Sequence, residues 1–402
     1  MNFFRILNEF HLKNLFGVLV LFFLLNCERT EESPVGQASL PVLRITTENK
    51  LAINSKDVYQ KAFLSIEGEN EFSDEVEIRG RGNTTWNFQK KPYKIKLKEK
   101  TGLLGLESGK KWVLLANYLD PSLMQNAVAM EIGHLLDMPY TNHIVPVDLW
   151  INNEYLGNYM FTEQVEVKEI RIDIGEEGIL LSLDTIIDAD ETYFNSTIYK
   201  LPVIVKHPEI SNSVDLERIE QDFNELERRV YSDDFPNNNY LELFDAEAMA
   251  KYLIVYTLTC NEEINHPKST YIHKKKGHKF TVGPIWDFDW AFSFEQNQIH
   301  YTNPTRPLFW EGNAKGTLFF KRIASDPKIK YLIKTQWEDF RSNDFNKLIN
   351  FVDSYAKNIE ASRKADYKKW QKGEEDFNME KEALKNWLTR RASYLDDLMA
   401  GY

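Results

Sequence analysis

The stretch Gly283-Pro284-Ile285-Trp286-Asp287-Phe288-Asp289-Trp290-Ala291-Phe292 constrains the fold more than any other part of the chain. Side chains alternate along an extended segment, so Asp287 and Asp289 would share one face and Trp286, Phe288 and Trp290 the other. Three aromatics would anchor the segment in a core while two carboxylates point together into a cleft. Carboxylates that close repel unless a cation lies between them. Mg²⁺, which takes one or two carboxylates plus substrate phosphate oxygens, suits such a pair. An ordinary strand with a solvated acidic face fits the same pattern, because Asp-x-Asp is common.

With 402 residues, 43% of them hydrophobic and 13% aromatic, the chain can bury a large core. Its formal net charge of -12 argues against nucleic acid as the main partner, which would require a basic footprint. At the amino terminus Arg5 and Lys13 precede an apolar run from Leu15 to Leu25, too short for an ordinary spanning helix. The run ends at Leu24-Leu25-Asn26-Cys27, which resembles a bacterial lipoprotein signal cleaved before a cysteine that then carries lipid. Asn26 departs from the usual small residue there, and a plain secretory signal is the alternative. The expected layout is a signal peptide over residues 1–26, a polar tether over 27–39, and a globular region over 40–402. The protein would then be anchored at the cell envelope through Cys27. Cys260 is the only other cysteine, so no disulfide framework forms; in an apolar helical run it reads as a small buried hydrophobe.

The class reads as α+β, with a strand-rich first half (40–205) and a helix-rich second half (206–402). Strands are predicted over Val42 to Thr46, Val76 to Arg79, Tyr93 to Leu97, Val145 to Ile151 and Tyr159 to Val167, with a hairpin turn at Asn152-Asn153. Asp120-Pro121 reads as the start of a helix. Further helices are predicted over Ser213 to Val230, over Ala246 to Thr259 capped by Asp245, and through the charged region from Asn343 to Met399. A hairpin from Ser269 through Gly277 to Phe280 would lead into the acidic segment. Asp184 to Glu191 reads as a surface loop.

Two further stretches can carry chemistry. In Ile78-Arg79-Gly80-Arg81-Gly82-Asn83-Thr84-Thr85-Trp86, glycine permits close backbone approach and arginine supplies a planar fork of donors, a phosphate cradle without the Walker spacing. A basic hairpin with turn glycines is the alternative. Downstream, Lys94 lies nearest that turn and is the better phosphate candidate, whereas Lys96 and Lys98 read as solvated. Glu163 falls on the apolar face of its strand with Tyr159, Phe161, Val165 and Val167, which is costly unless it is paired. Lys94, Arg79 or Arg81 could be its cation, or its side chain could bend to solvent. The second stretch, Asn261-Glu262-Glu263-Ile264-Asn265-His266, follows a helix and precedes the acidic segment. Here Glu263 could deprotonate a hydroxyl and Asn261 could assist metal or phosphate binding. His266 reads as structural.

Together these segments resemble the spore-coat protein H (CotH) kinase family. The matching residues are Arg79-Gly80-Arg81-Gly82-Asn83 with Lys90-Lys91-Pro92-Tyr93-Lys94, then Leu156-Gly157-Asn158-Tyr159 to Glu163, then Gly283 to Asp289. The resemblance implies a divergent two-lobed protein-kinase-like fold and transfer of phosphate from ATP to protein hydroxyls, Ser or Thr, with Mg²⁺ or Mn²⁺. It implies that Asp287 holds the metal beside Asp289, with the glycine–arginine segment and Lys94 on the nucleotide. Glu263 stands where many members carry an aspartate shortly after Asn261; glutamate is one methylene longer and can still act as a base. Two other readings stay open: an inactive surface lipoprotein that uses the fold for binding or adhesion, and a metal-dependent glycosyltransferase. The second rests on Asp-x-Asp alone and lacks the expected strand–helix alternation.

Overall fold

The computed structural model describes residues 40–68, 71–295 and 299–402. The expected signal peptide, tether and Cys27 lie outside them. The α+β class holds. Seven strands close into a barrel: β1 (Val42–Thr47), β2 (Gln60–Glu67), β3 (Phe72–Gly80), β4 (Tyr93–Thr101), β5 (Gly109–Leu115), β6 (Val145–Ile151) and β7 (Glu154–Glu163). Their order is β1-β2-β3-β4-β5-β7-β6, and a parallel β1–β6 pairing closes the ring. Period-two alternation fills the interior with Leu43, Ile45, Leu64, Ile78, Ile95, Trp112, Leu149 and Phe161. Outward-facing charges pair across strands instead, as at Lys96–Glu77 (2.7 Å) and Arg44–Glu67 (2.7 Å). The β6–β7 turn matches its sequence signature, with Asn152 and Asn153 both left-handed at φ 52° and 68°.

A second sheet, ordered β12-β11-β8-β10-β9, combines β8 (Ile179–Leu183), β9 (Tyr193–Asn195), β10 (Pro202–His207), β11 (Thr270–Lys274) and β12 (Phe280–Val282). Strands from both halves of the sequence thus share one sheet, and a division at 205/206 would fall inside β10. Residues 40–402 form one compact unit.

Helix α1 is Gln125–Leu135, and α2 (Ser213–Tyr231) begins at its cap Asn212. Asp120 does not start α1 as a conventional cap; its carboxylate accepts from Ser122 N and, across a turn, from Gln125 N at 2.8 Å. Helix α3 (Ala246–Thr259) has Asp245 accepting from the Glu247 and Ala248 amides, as expected. Its apolar surface is buried nearly all round, and Cys260 is buried at its end. Helices α4 (Lys315–Ala324), α5 (Pro327–Asn343), α6 (Phe345–Trp370) and α7 (Phe377–Ala400) complete the chain. Among the described residues no helix is long and apolar enough to cross a membrane.

The charged helices are not a free appendage. Helix α6 packs on β7, where buried Asp366 meets Lys90 Nζ at 2.6 Å and accepts from the Asn158 amide at 2.9 Å. Gly157 makes room for this approach: a Cβ there would lie 2.3 Å from Asp366 Oδ2. Barrel and helices are therefore locked together beside the glycine–arginine loop.

Candidate functional site

A cleft of about 310 Å³ runs between the barrel rim and the second sheet, and Arg79, Arg81, Lys94, Glu263, Asp287 and Asp289 all line it. Residues as distant along the chain as Lys56 and Trp290 meet there, contributed by the facing ends of β3 and β4 with their loop, the turn after α3 and the loop after β12.

Regular strands present the basic wall. Arg79 and Lys94 are cross-strand partners on β3 and β4. The Arg79 guanidinium donates to the Lys56 carbonyl and lies over the Tyr59 ring at 5.0 Å, but its buried Nε has no partner. Arg81 lies over the Trp286 ring at 5.3 Å. Burial pulls the Arg81 pKa down, against the opposing pull of Tyr271, Asp287 and Asp289. Burial and then the charges of Arg79, Lys111 and Arg81 bring Lys94 down to about 7. Among the described residues neither Arg81 nor Lys94 has an ion-pair partner, so this wall carries positive charge available to an anion. The glycines are structural necessities: a Cβ on Gly80 would come within 2.2 Å of the Trp86 ring, and Gly82 has φ +81°.

The acidic wall is built differently. The aromatic–acidic segment is not a strand: β12 ends at Val282, and Asp287 sits in the left-handed region at φ 64°. The expected alternation fails in backbone form, yet the carboxylates still converge. Of the aromatics, Phe288 and Trp286 enter the core, Phe288 beside Tyr256, while Trp286 and Trp290 also line the cleft. Neighbouring side chains hold the irregular backbone: Asn261 Nδ2 donates to the Asp287 carbonyl at 2.8 Å, and Ser269 Oγ donates to Asp287 Oδ2 at 3.3 Å. Burial and then the Asp287 charge push the Asp289 carboxyl up to about 7, against a hydrogen bond from Asn126.

Glu263 lies in a short 3₁₀ turn (Glu262–Ile264) capped by Asn261, whose Oδ1 accepts from the Glu263 amide at 3.1 Å. Its Oε1 meets Lys268 Nζ at 3.3 Å, while its buried Oε2 has no partner. Burial and then Asp287 raise the Glu263 pKa well above the carboxylate range, Lys268 opposing. For Lys268, burial works against its charge, but Glu263 and Asp287 outweigh that and hold its pKa high. Lys268 also lies over the Trp290 ring at 4.8 Å.

Two sequence-predicted residues take other places. Glu163 meets neither Lys94 nor an arginine; its cation-forming neighbour is His143, with Nδ1 at 2.8 Å and the backbone amide donating at 3.0 Å. Burial pushes Glu163 up, but the His143 hydrogen bonds outweigh it and leave the pKa lowered. Its neighbour Gln164 lines the cleft instead. Asn261 is fully buried, with its carbonyl and amide committed to Glu263 and Asp287, so it braces the acidic wall from behind. His266 pairs with Glu311 at 2.5 Å.

The loop from Asp184 to Glu191 is largely exposed, as expected, and its Asp184, Asp188 and Glu191 also line the cleft. Asp184 accepts from the Ser269 amide at 3.1 Å, and Asp188 meets Lys56 at 3.2 Å. Asn117 and Asn126 also escaped sequence reasoning, since isolated asparagines carry no pattern. Among the described residues, no group of three or more His, Cys, Asp or Glu side chains could hold a metal. Asp287 and Asp289 are the two carboxylates of the acidic wall that could share a hard cation with oxygens of a ligand.

No curated protein matches the chain. The family model described as CotH kinase protein matches residues 78–395, which takes in both cleft walls and the terminal helices. The chain belongs to the CotH kinase family.

Proposed function

We propose that the protein transfers the terminal phosphate of ATP to a protein hydroxyl, Ser or Thr, with Mg²⁺ or Mn²⁺, on a divergent kinase-like fold. The observation that carries this reading is the pairing of opposite walls in one cleft: Arg79, Arg81 and Lys94 face Asp287 and Asp289. Phosphoryl transfer asks little of a protein beyond positioning and charge stabilisation, and these are the groups for it. Asp287 and Asp289 would hold the metal, which when bound neutralises phosphate charge. Arg81 and Lys94 would bind the phosphate oxygens, Lys94 taking a proton as it does so. The acceptor oxygen bonds to the γ-phosphorus as the bond to the bridging oxygen breaks. ADP leaves with that electron pair, and the hydroxyl proton passes to Glu263. The expected lipid anchor at Cys27 would place this chemistry on protein substrates at the cell envelope.

Incubation with γ-labelled ATP and Mg²⁺ or Mn²⁺, beside an Asp287→Asn control, tests the proposal. Label transferred to the protein itself or to an acceptor, and lost in the control, supports it. Binding without transfer would point to an inactive kinase-like protein or a missing acceptor. Neither transfer nor detectable ATP binding would instead support the second reading, an inactive surface lipoprotein used for binding or adhesion. One observation favours that alternative: Glu263 is buried, and its raised pKa opposes the deprotonated state a base requires.

A further inference from the structure

Besides Arg79 Nε, a second buried donor in the cleft has no partner among the described residues. Asn117 follows β5, is only 4% exposed, and lines the cleft, yet its Nδ2 makes no hydrogen bond. An unpaired buried amide is costly and calls for an explanation at each occurrence. Its orientation is set from the other side. Asn126 on α1, itself 3% exposed, donates from Nδ2 to Asn117 Oδ1 at 3.0 Å. The same Nδ2 lies 3.4 Å from Asp289 Oδ1, and Asn126 Oδ1 accepts from the Phe288 amide at 3.3 Å. With its oxygen held by Asn126, the Asn117 amide turns its nitrogen away from that contact. One side chain thus fixes both a carboxylate of the acidic wall and the direction of a free donor.

We propose that Asn117 is a nucleotide-contacting residue, its Nδ2 donating to an oxygen of the bound nucleotide, and that Asn126 is the positioning residue that aims it and Asp289 together. The inference rests on the nucleotide-binding reading of this cleft and extends it to two residues outside its charged groups. Asn126 reaches both Asp289 and Asn117, which places the donor beside the ligand oxygens that Asp289 would share through a metal. Asn117 has φ 49°, a conformation that Asp and Gly tolerate and alanine does not, so those two residues are the appropriate replacements.

The test is titration calorimetry of ATP, and separately of inorganic tripolyphosphate, with Mg²⁺, on wild type, Asn117→Gly, Asn117→Asp, Asn126→Ala and the Asn117→Gly/Asn126→Ala double variant. Asn117→Gly is expected to weaken ATP about tenfold, and Asn117→Asp more, because an oxygen replaces the donor. Asn126→Ala should weaken ATP at least as much as Asn117→Gly, and the double variant no more than Asn126→Ala alone, since one acts through the other. An equal loss with tripolyphosphate assigns the contact to a phosphate oxygen; a loss confined to ATP assigns it to the nucleoside. Wild-type affinities for both ligands in Asn117→Gly and Asn117→Asp would overturn the inference while leaving the proposed function standing. Absence of ATP binding by the wild type would overturn both. Melting curves of the ligand-free variants separate these effects from unfolding: Asn117→Gly gives up the bond from Asn126 as well as the unpaired donor, so affinities are compared at a temperature where every variant is fully folded.

Discussion

The two walls of the cleft reach the same rim by opposite means. The basic wall stands on regular strands: Arg79 and Lys94 sit opposite each other on β3 and β4, and the intervening loop is shaped by Gly80 and Gly82. The acidic wall stands on irregular backbone, with Ser269 at φ 50° and Asp287 at φ 64°, neither of them glycine. Such conformations persist only where surroundings over-determine them, and Asn261, Ser269 and Asn126 supply the hydrogen bonds that do so. The regular pairing of β3 and β4 alone brings Arg79 and Lys94 side by side. Convergent carboxylates repel, and a braced, irregular backbone holds them together.

The largest effect that separates the walls should be chemical. Asp287→Asn is expected to reduce metal-dependent phosphoryl transfer by about 10²–10³-fold or more, with the melting temperature unchanged, as read by labelled-phosphate incorporation and calorimetry. The buttress of the basic wall should yield the largest loss of stability. Lys90 and Asp366 are 1% and 6% exposed at their side chains, and Lys90→Met would leave a buried carboxylate uncompensated. A loss of about 3–5 kcal/mol is expected on denaturant unfolding, with partial recovery in the double variant Lys90→Met/Asp366→Leu. A smaller loss, about 1–3 kcal/mol, is expected for Gly80→Ala, whose methyl would meet the Trp86 ring.

The walls should also respond to pH with opposite signs. The Asp289 carboxyl, raised to about 7 from an ordinary 3.8, binds more protons folded than unfolded over that interval. Metal-free stability contributed by Asp289 should therefore fall as pH rises from about 4 to 7, and Asp289→Asn should remove the slope. Lys94, lowered to about 7 from 10.5, binds fewer protons folded than unfolded. Its unfavourable contribution is fully present below about 7 and is relieved as pH rises toward 10.5, so stability should climb there, and Lys94→Met should flatten it. Stability curves from pH 4 to 10 on these two variants check both slopes. Equal slopes in wild type and variants would remove this electrostatic contrast between the walls.

The same contrast governs how much could be read from the sequence. Strand periodicity and turn residues gave β6 to the residue, the Asn152-Asn153 turn, and α3 with its Asp245 cap. The basic wall was legible because glycine, arginine and lysine on adjacent strands carry a pattern. The acidic residues were legible as types but not as backbone: alternation suggested a strand where left-handed residues form a loop. Glu163 was recognised as a buried carboxylate needing a partner, but nothing local indicated His143, twenty residues away along the chain. The loop from Asp184 is legible as exposed polarity, but not as part of the cleft, because that place comes from β8 sharing a sheet with β11. Short strands such as β9, and the asparagines Asn117 and Asn126, depend on long-range contacts and leave no local trace.

The central claim is that the two walls together bind a metal–nucleotide complex. ATP titration calorimetry with and without Mg²⁺ or Mn²⁺, on wild type, Asp287→Asn and Lys94→Met, tests it most directly. Binding is expected to be strengthened by metal in the wild type, to lose that strengthening in Asp287→Asn, and to be weakened with or without metal in Lys94→Met. Absence of ATP binding by the wild type, or metal dependence retained in full by Asp287→Asn, would contradict that claim.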